Sequence, residues 1–229
     1  MSQIKIFQPI NVGLLSEVAR AMLNSMMKGL TPCHCQCCSR QHFLFVEPSP
    51  LAMAHAEAST FAEGLTKQEV YAQVLEQARA LLEEQRNWVG TCNLSNTASL
   101  LYHALRSLPL PSNATNWCGF YVLDPKNPGQ LILGPFQGHV ACQTIAFGKG
   151  VCGTAAATQV TQLVPDVEAF PGHIACDSNS KSEIVVPIIQ GDKVAAIIDI
   201  DCAEPSGFDS EDQAELENLA RLLAESCDF

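Results

Sequence analysis

The chain has 229 residues, 47% of them apolar, and a formal charge of −11. That length holds one domain of ordinary size plus an appendage, and such a domain buries enough surface for an unaided core. The acidic balance, with no Lys/Arg-rich run to reverse it locally, excludes nucleic acid and anionic membrane as partners, and no apolar run approaches the ~18 residues of a membrane span.

Eleven cysteines would suggest a disulfide framework in a small secreted protein. The number is odd, however, and the opening Phe7-Gln-Pro-Ile-Asn-Val-Gly13 is too polar and broken for a signal core. The expectation is a soluble protein in a reducing compartment, the cytoplasm and also the nucleus, with most thiols free. Buried cysteine behaves as a small hydrophobe, so Cys92, Cys118, Cys202 and Cys227 are expected to serve packing alone.

Residues 1–58 differ in character from the remainder of the chain. They carry a short amphipathic helix pattern (Leu14, Leu15, Val18, Met22, Met26), a cysteine cluster and a Pro/Ala/Ser-rich connector over 47–60. With Lys5, Arg20 and Lys28 against Glu17, the first thirty residues weakly resemble an organelle transit peptide. The expectation is a disordered or loosely attached, Cys-rich leader, with the folded domain spanning 59–229. Cys33-His-Cys-Gln-Cys-Cys38 with His42 has the donors for tetrahedral zinc, but all of them lie within ten residues. A structural site usually has two ligand pairs separated by a loop, so no bound metal is expected.

From Thr66 the pattern becomes regular. Thr66-Lys-Gln-Glu69 is a capping box, and Val70, Val74, Leu75, Ala78, Leu81 and Leu82 recur at helical spacing. A second helix is expected from Asn93 to Ser107, ended by Pro109 and Pro111. Trp117-Cys-Gly-Phe-Tyr-Val-Leu123 reads as a strand, turning through Pro125-Lys-Asn-Pro-Gly129 into Leu131-Ile-Leu133. A strand over Gln143–Phe147, a short Ala-rich helix after Gly150 and a brief strand over Thr161–Val164 lead into an irregular loop through Pro171-Gly-His173. Glu183–Gln190 and Lys193–Asp201 form a hairpin joined at Gly191-Asp192. A last helix over Ser210–Ser226 is capped by Asp209. Hairpins flanked by helices indicate an α+β fold with a mainly antiparallel sheet.

The chemistry-bearing residues cluster late in the chain. Cys152 stands beside a helix N-terminus in Gly148-Lys-Gly-Val-Cys-Gly153, where the dipole favours a thiolate if the thiol is exposed; buried, it would be one more small packing residue. Cys176, in His173-Ile-Ala-Cys-Asp-Ser-Asn-Ser-Lys-Ser-Glu183, reads as a loop thiol over a site, with His173 expected at the surface. Cys142 is a third thiol, and spacing alone does not show that any two meet. Asp199 and Asp201 are an i, i+2 pair on one strand face. Facing a core, they would have raised pKa values and could donate protons; otherwise Asp201 ends the strand in solvent. Glu183 adds a third carboxylate on the paired strand.

Trp117–Leu123, Leu133-Gly-Pro-Phe-Gln-Gly138, Ala141-Cys-Gln-Thr-Ile145, Gly148-Lys-Gly-Val-Cys-Gly-Thr-Ala155, Val164-Pro-Asp-Val167, Gly172-His-Ile-Ala-Cys-Asp177, Ser182-Glu-Ile-Val185 and Asp199-Ile-Asp201 together resemble the free methionine-R-sulfoxide reductases, which are built from a single GAF domain. The resemblance runs over 60–229 in order, including the cysteine spacings of ten and twenty-four. It implies a GAF-like six-stranded sheet with helices packed at one side, often as a homodimer, enclosing free L-methionine (R)-S-oxide. It implies Cys176 as nucleophile and Cys142 as the resolving thiol, although some assignments within the family favour the position of Cys152. It places Trp117 and Tyr121 near the methylsulfinyl group, and Glu183, Asp199 and Asp201 where they hold the amino group or polarise the sulfoxide. The attacking thiol would become a sulfenic acid, Cys142 would condense with it, and thioredoxin, itself reduced by NADPH, would restore both. No metal or organic cofactor need be bound. The leader has no counterpart in the family. Other readings are a non-catalytic GAF sensor of a small molecule, or a thiol redox switch or zinc-binding interaction protein centred on Cys33–His42.

Overall fold

A computed structural model of the chain describes residues 59–83, 92–174 and 177–229. The leader's helix pattern, the Cys33–His42 cluster and Cys176 lie outside the described residues.

Helix α1 (Lys67–Leu82) starts where the capping box places it: Glu69 N donates to Thr66 Oγ1, and Thr66 N donates to Glu69 Oε2. It buries Val70, Val74, Ala78 and Leu82, four positions of one helical stripe. Helix α2 (Cys92–Ser107) buries Leu94, Ala98, Leu101 and Leu105 in the same way. The last helix, α4 (Ser210–Ser226), is capped by Asp209, whose carboxylate accepts from Glu211 N and Asp212 N. Lys67 Nζ binds Asp212 at 2.6 Å and Asp209 at 2.8 Å, while Tyr71 donates its hydroxyl to Asp212 at 2.9 Å. These contacts tie the start of α1 to the start of α4.

Between the helices lies a six-stranded sheet in the order β3-β2-β1-β6-β5-β4, every neighbouring pair antiparallel. Its strands are β1 (Thr115–Asp124), β2 (Asn127–Gln137), β3 (Thr144–Ala146), β4 (Gln162–Val164), β5 (Ser182–Gln190) and β6 (Lys193–Cys202). Pro187 is tolerated in β5 because β4 pairs only with residues 183–185, leaving that stretch at the sheet edge.

The two-residue period of the strands sorts the sheet into two faces. Cys118, Phe120 and Val122 of β1, with Ile198, Ile200 and Cys202 of β6, bury themselves against α1, α2 and α4. Each such large apolar side chain contributes about 1.5–3 kcal/mol. Trp117, Tyr121, Val185 and Ile197 point the other way, where the short helix α3 (Gly150–Thr158) covers them with Val151, Ala155 and Ala156. Among the described residues, three helices therefore support the sheet from one side, and one short helix and loops lie on the other. Among the described residues, no helix is long and apolar enough to cross a membrane.

Candidate active site

The lightly covered face holds a cavity of about 350 Å³ lined by residues of β1, β2, β3, α3, β5, β6 and two loops, a size suited to a small organic ligand. Strand registry builds its floor. Trp117 of β1 lies opposite Asp201 of β6, and Asp201 lies opposite Glu183 of β5; two residues along, Gly119 lies opposite Asp199 and Asp199 opposite Val185. Three carboxylates are thus delivered to one patch by two strands.

Aromatic rings form a wall beside them. Trp117 stacks on Phe136 of β2 with centroids 5.4 Å apart and on Tyr121 at 5.9 Å. The stack needs glycine at 119: a Cβ there would lie 2.4 Å from Phe136 Cβ and 2.7 Å from Trp117 Cη2. Both inner rings also hold the rim, since Trp117 Nε1 donates to His139 O at 3.1 Å and the Tyr121 hydroxyl to Cys142 O at 3.0 Å. Gly138, at φ +126°, lets the chain leave β2 for this loop within contact of the indole. Asn116 donates to Asp177 at 3.2 Å and to Ser180 at 3.1 Å, holding the loop before β5 to the start of β1.

Helix α3 sets the thiol. Gly148 and Gly150 take positive φ and Gly153 packs its α-carbon where a Cβ would meet Ala146 O at 2.3 Å. The first turn therefore sits low over the sheet, and Cys152 donates its thiol to Glu183 Oε1 across 3.6 Å.

Burial dominates the electrostatics. Glu183 and Asp199 are each only 6% exposed. Burial pushes the Asp199 carboxyl up to about 6, although hydrogen bonds from Cys152 and Glu183 work against the rise. Glu183 is raised well above the ordinary carboxylate range by burial and by the charges of Asp199 and Asp201. Asp201 is raised for the same reasons, with Asp199 as its main charged neighbour. Like charges this close cannot all ionise, so the trio holds protons to higher pH than free carboxyls do. Burial lowers the pKa of His173, whose Nε2 lies 3.8 Å from Glu183 Oε2.

The structure brings Trp117, Tyr121, Cys142, Cys152, Glu183, Asp199 and Asp201 around one cavity. Cys176 is not described, but Ile174 and Asp177 on either side of it both line the cavity. Open readings are decided here, and the expectation of a surface His173 is corrected. Cys152 is not an exposed, activated thiolate: it is buried at the first turn of α3, and its thiol is raised well above the usual value, first by burial and then by Asp199 and Glu183. The fractional positive charge of a short helix is outweighed by these two effects. His173 is not a surface residue but faces the cavity with 17% of its side chain exposed. Asp201 does not end its strand in solvent; it lines the cavity with Asp199. Cys118, Cys202 and Cys227 are buried as expected, whereas Cys92 is exposed. Cys142 is disulfide-bonded, and Cys152 is a free thiol, so these two are not each other's partners. Sequence reasoning misses Phe136, Asn116 and Ser180; an aromatic residue two positions before Gly138 is the available signal for the first.

A curled antiparallel sheet with one face backed by helices and the other enclosing a small polar cavity defines a GAF domain, and the GAF domain family matches residues 64–226. The chain is 53% identical over 176 residues to the free methionine-R-sulfoxide reductase of Saccharomyces cerevisiae, covering 76% of this chain and 95% of that one. Its fold matches a solved GAF domain at a TM-score of 0.74 and 52% identity, over 79% of this chain and all of the other. It also matches the free methionine-R-sulfoxide reductase of Neisseria meningitidis, solved in complex with its substrate, at a TM-score of 0.65 and 37% identity over 73% and 95% of the two chains. The chain belongs to the free methionine-R-sulfoxide reductase family.

Proposed function

We propose that this protein is an oxidoreductase that reduces free L-methionine (R)-S-oxide to L-methionine with its own thiols, thioredoxin restoring them. The observation that carries the reading is the trio Glu183, Asp199 and Asp201, buried on one patch, sharing protons and facing an aromatic-walled cavity of amino-acid size. Proton-donating carboxyls are what a departing sulfoxide oxygen requires.

The substrate's ammonium group is attracted to the ionised member of the trio, and its methyl and methylene groups lie against Trp117 and Tyr121. Lys149 and the N-terminus of α3, on the cavity wall, offer the positive end for its carboxylate. Both charged ends of a free amino acid are then used, which disfavours the same residue within a peptide.

Cys176 attacks the sulfoxide sulfur as Glu183 or Asp201 delivers a proton to its oxygen; the hydroxyl then passes from that sulfur to the Cys176 sulfur as the new S–S bond breaks toward methionine, which leaves with its lone pair restored and Cys176 as a sulfenic acid. The Cys142 thiol attacks that sulfur, water departs and a disulfide forms. The dithiol of thioredoxin supplies the two electrons that reopen it. The disulfide already formed by Cys142 and the place of Ile174 and Asp177 on the same cavity support these roles.

The test is thioredoxin-linked NADPH oxidation with the separated epimers of free methionine sulfoxide and a peptide-bound substrate. Turnover is expected with the free R epimer alone, and Cys176→Ser abolishes it. Turnover persisting in that variant would move the nucleophile to Cys152, and no turnover with any substrate would favour a sensor.

A further inference from the structure

We propose that the same cavity is a chelating site for one thiophilic divalent cation, zinc by its donor set, held by Cys152, Glu183 and Asp199 and exclusive with substrate. The donor atoms of these three residues all lie within 4.8 Å of one another. With Zn–S near 2.3 Å and Zn–O near 2.0 Å, neighbouring ligands of a tetrahedral zinc stand about 3.5 Å apart. Cys152 Sγ and Glu183 Oε1 are separated by 3.6 Å, so the edge of the tetrahedron already exists.

A second observation points to a ligand. Asp199 is 6% exposed and lines the cavity, and its Oδ1 is buried without a hydrogen-bond partner. Leaving a buried acceptor of this kind unmet is unfavourable, and a bound cation would satisfy it. Among the described residues, no lysine or arginine forms an ion pair with Glu183, Asp199 or Asp201; the imidazole of His173 lies 3.8 Å from Glu183. The donors come from α3, β5 and β6, so little rearrangement is needed to present them together.

Binding forms a metal–thiolate bond, and the Cys152 proton, with any proton held on the coordinating carboxyls, passes to solvent. The bound ion occupies the acids that receive the substrate's ammonium group and donate to its oxygen. Zinc is thus a reversible inhibitor competing with the sulfoxide, and the charge-rich pocket of the proposed reductase is its point of entry. The chelation itself depends only on the donor positions, not on the reductase reading.

The experiment uses the full chain with Cys33, Cys35, Cys37 and Cys38 each changed to serine, so that the leader contributes no thiolate. Cobalt(II) is titrated as the probe, followed by its thiolate-to-metal charge-transfer band and its visible bands. One equivalent with a single-thiolate band is expected, displaced by zinc and by free methionine sulfoxide. Cys152→Ser removes the charge-transfer band, and Asp199→Asn weakens binding by more than about tenfold. Oxidising Cys142 leaves the band intact, because Cys152 remains free. Failure to bind one equivalent, a band that survives Cys152→Ser, or a band lost on oxidation would overturn the site. Binding without any sulfoxide turnover would refute the reductase reading alone, and turnover without binding would refute the metal site alone.

Discussion

Replacing Asp199 by asparagine keeps the side chain's size while removing one charge from the buried trio. In the native protein this carboxyl titrates at about 6, against about 3.9 in an unfolded chain. Its folded value is raised, so the native state holds the proton over a range where the unfolded chain has lost it. Stability therefore falls as pH rises: the penalty is absent below about 4, grows between about 4 and 6, and is complete above that. The gap of about two pH units at roughly 1.4 kcal/mol each corresponds to on the order of 3 kcal/mol, a large part of a typical net stability of about 5–15 kcal/mol. Glu183 and Asp201 add to it in the same direction, because the charge of Asp199 helps to raise both. Asp199→Asn is expected to lose the decline between pH 4 and 6 and to exceed the parent in stability at pH 7 by about that amount. Urea unfolding of both proteins from pH 4 to 8, followed by tryptophan fluorescence, measures the difference directly. Two curves that stay parallel over the whole range would show that Asp199 titrates normally in the fold and would remove the electrostatic basis of the site.

Glu183→Gln is expected to lower kcat/KM for the free R sulfoxide by roughly 10²–10⁴-fold, the usual scale of general acid catalysis. In steady-state pH profiles it also loses the fall in rate that accompanies deprotonation of this acid on the alkaline side. Gly119→Ala drives a methyl group against Phe136 and Trp117 and is expected to destabilise the protein by about 1–3 kcal/mol, with an altered near-UV circular dichroism signal from the indole. Tyr71→Phe deprives buried Asp212 of the hydroxyl that donates to its Oδ1 and is expected to cost about 1–3 kcal/mol in chemical denaturation.

Elements whose signals are local are legible in the chain. The capping box at Thr66, the Asp209 cap, the hairpin about Gly191-Asp192 and the i, i+2 geometry of Asp199 and Asp201 each depend on residues a few positions apart, and each stands where the pattern places it. Strand β2 runs longer than its pattern suggests, because Gly134 and Pro135 read as a break after Leu133. The strand continues to Gln137 past an irregularity in its pairing with β1 near Gly119, and Gly134 fits there because a Cβ would meet Phe120 O at 3.0 Å. The state of Cys152 is illegible for a different reason. A rule for helix ends uses the residue's own helix, whereas its thiol answers to Glu183 and Asp199, thirty-one and forty-seven positions later. His173 is hidden as well, because a loop sequence does not show that the imidazole lies 3.8 Å from Glu183 on the cavity.

The division of parts between rigid and looser elements matches what the proposed reaction requires. Its acids and the Trp117 and Tyr121 rings stand on β1, β5 and β6, inner strands buried on the helix-backed face, where side chains are held with the precision that proton donation demands. Cys142 stands instead on the loop after β2, fastened by the hydrogen bond that Tyr121 gives its carbonyl. In the proposed cycle the resolving thiol waits, closes a disulfide and then meets an external dithiol, which calls for access and backbone freedom that a strand denies it. Cys152 has neither, being buried under α3 with a raised pKa, so the geometry favours it as a hydrogen-bond donor that orders Glu183 rather than as the attacking group. Cys152→Ser distinguishes these roles: a serine still able to donate to Glu183 preserves turnover to within about tenfold, whereas loss on the scale of an absent nucleophile would return the attack to Cys152.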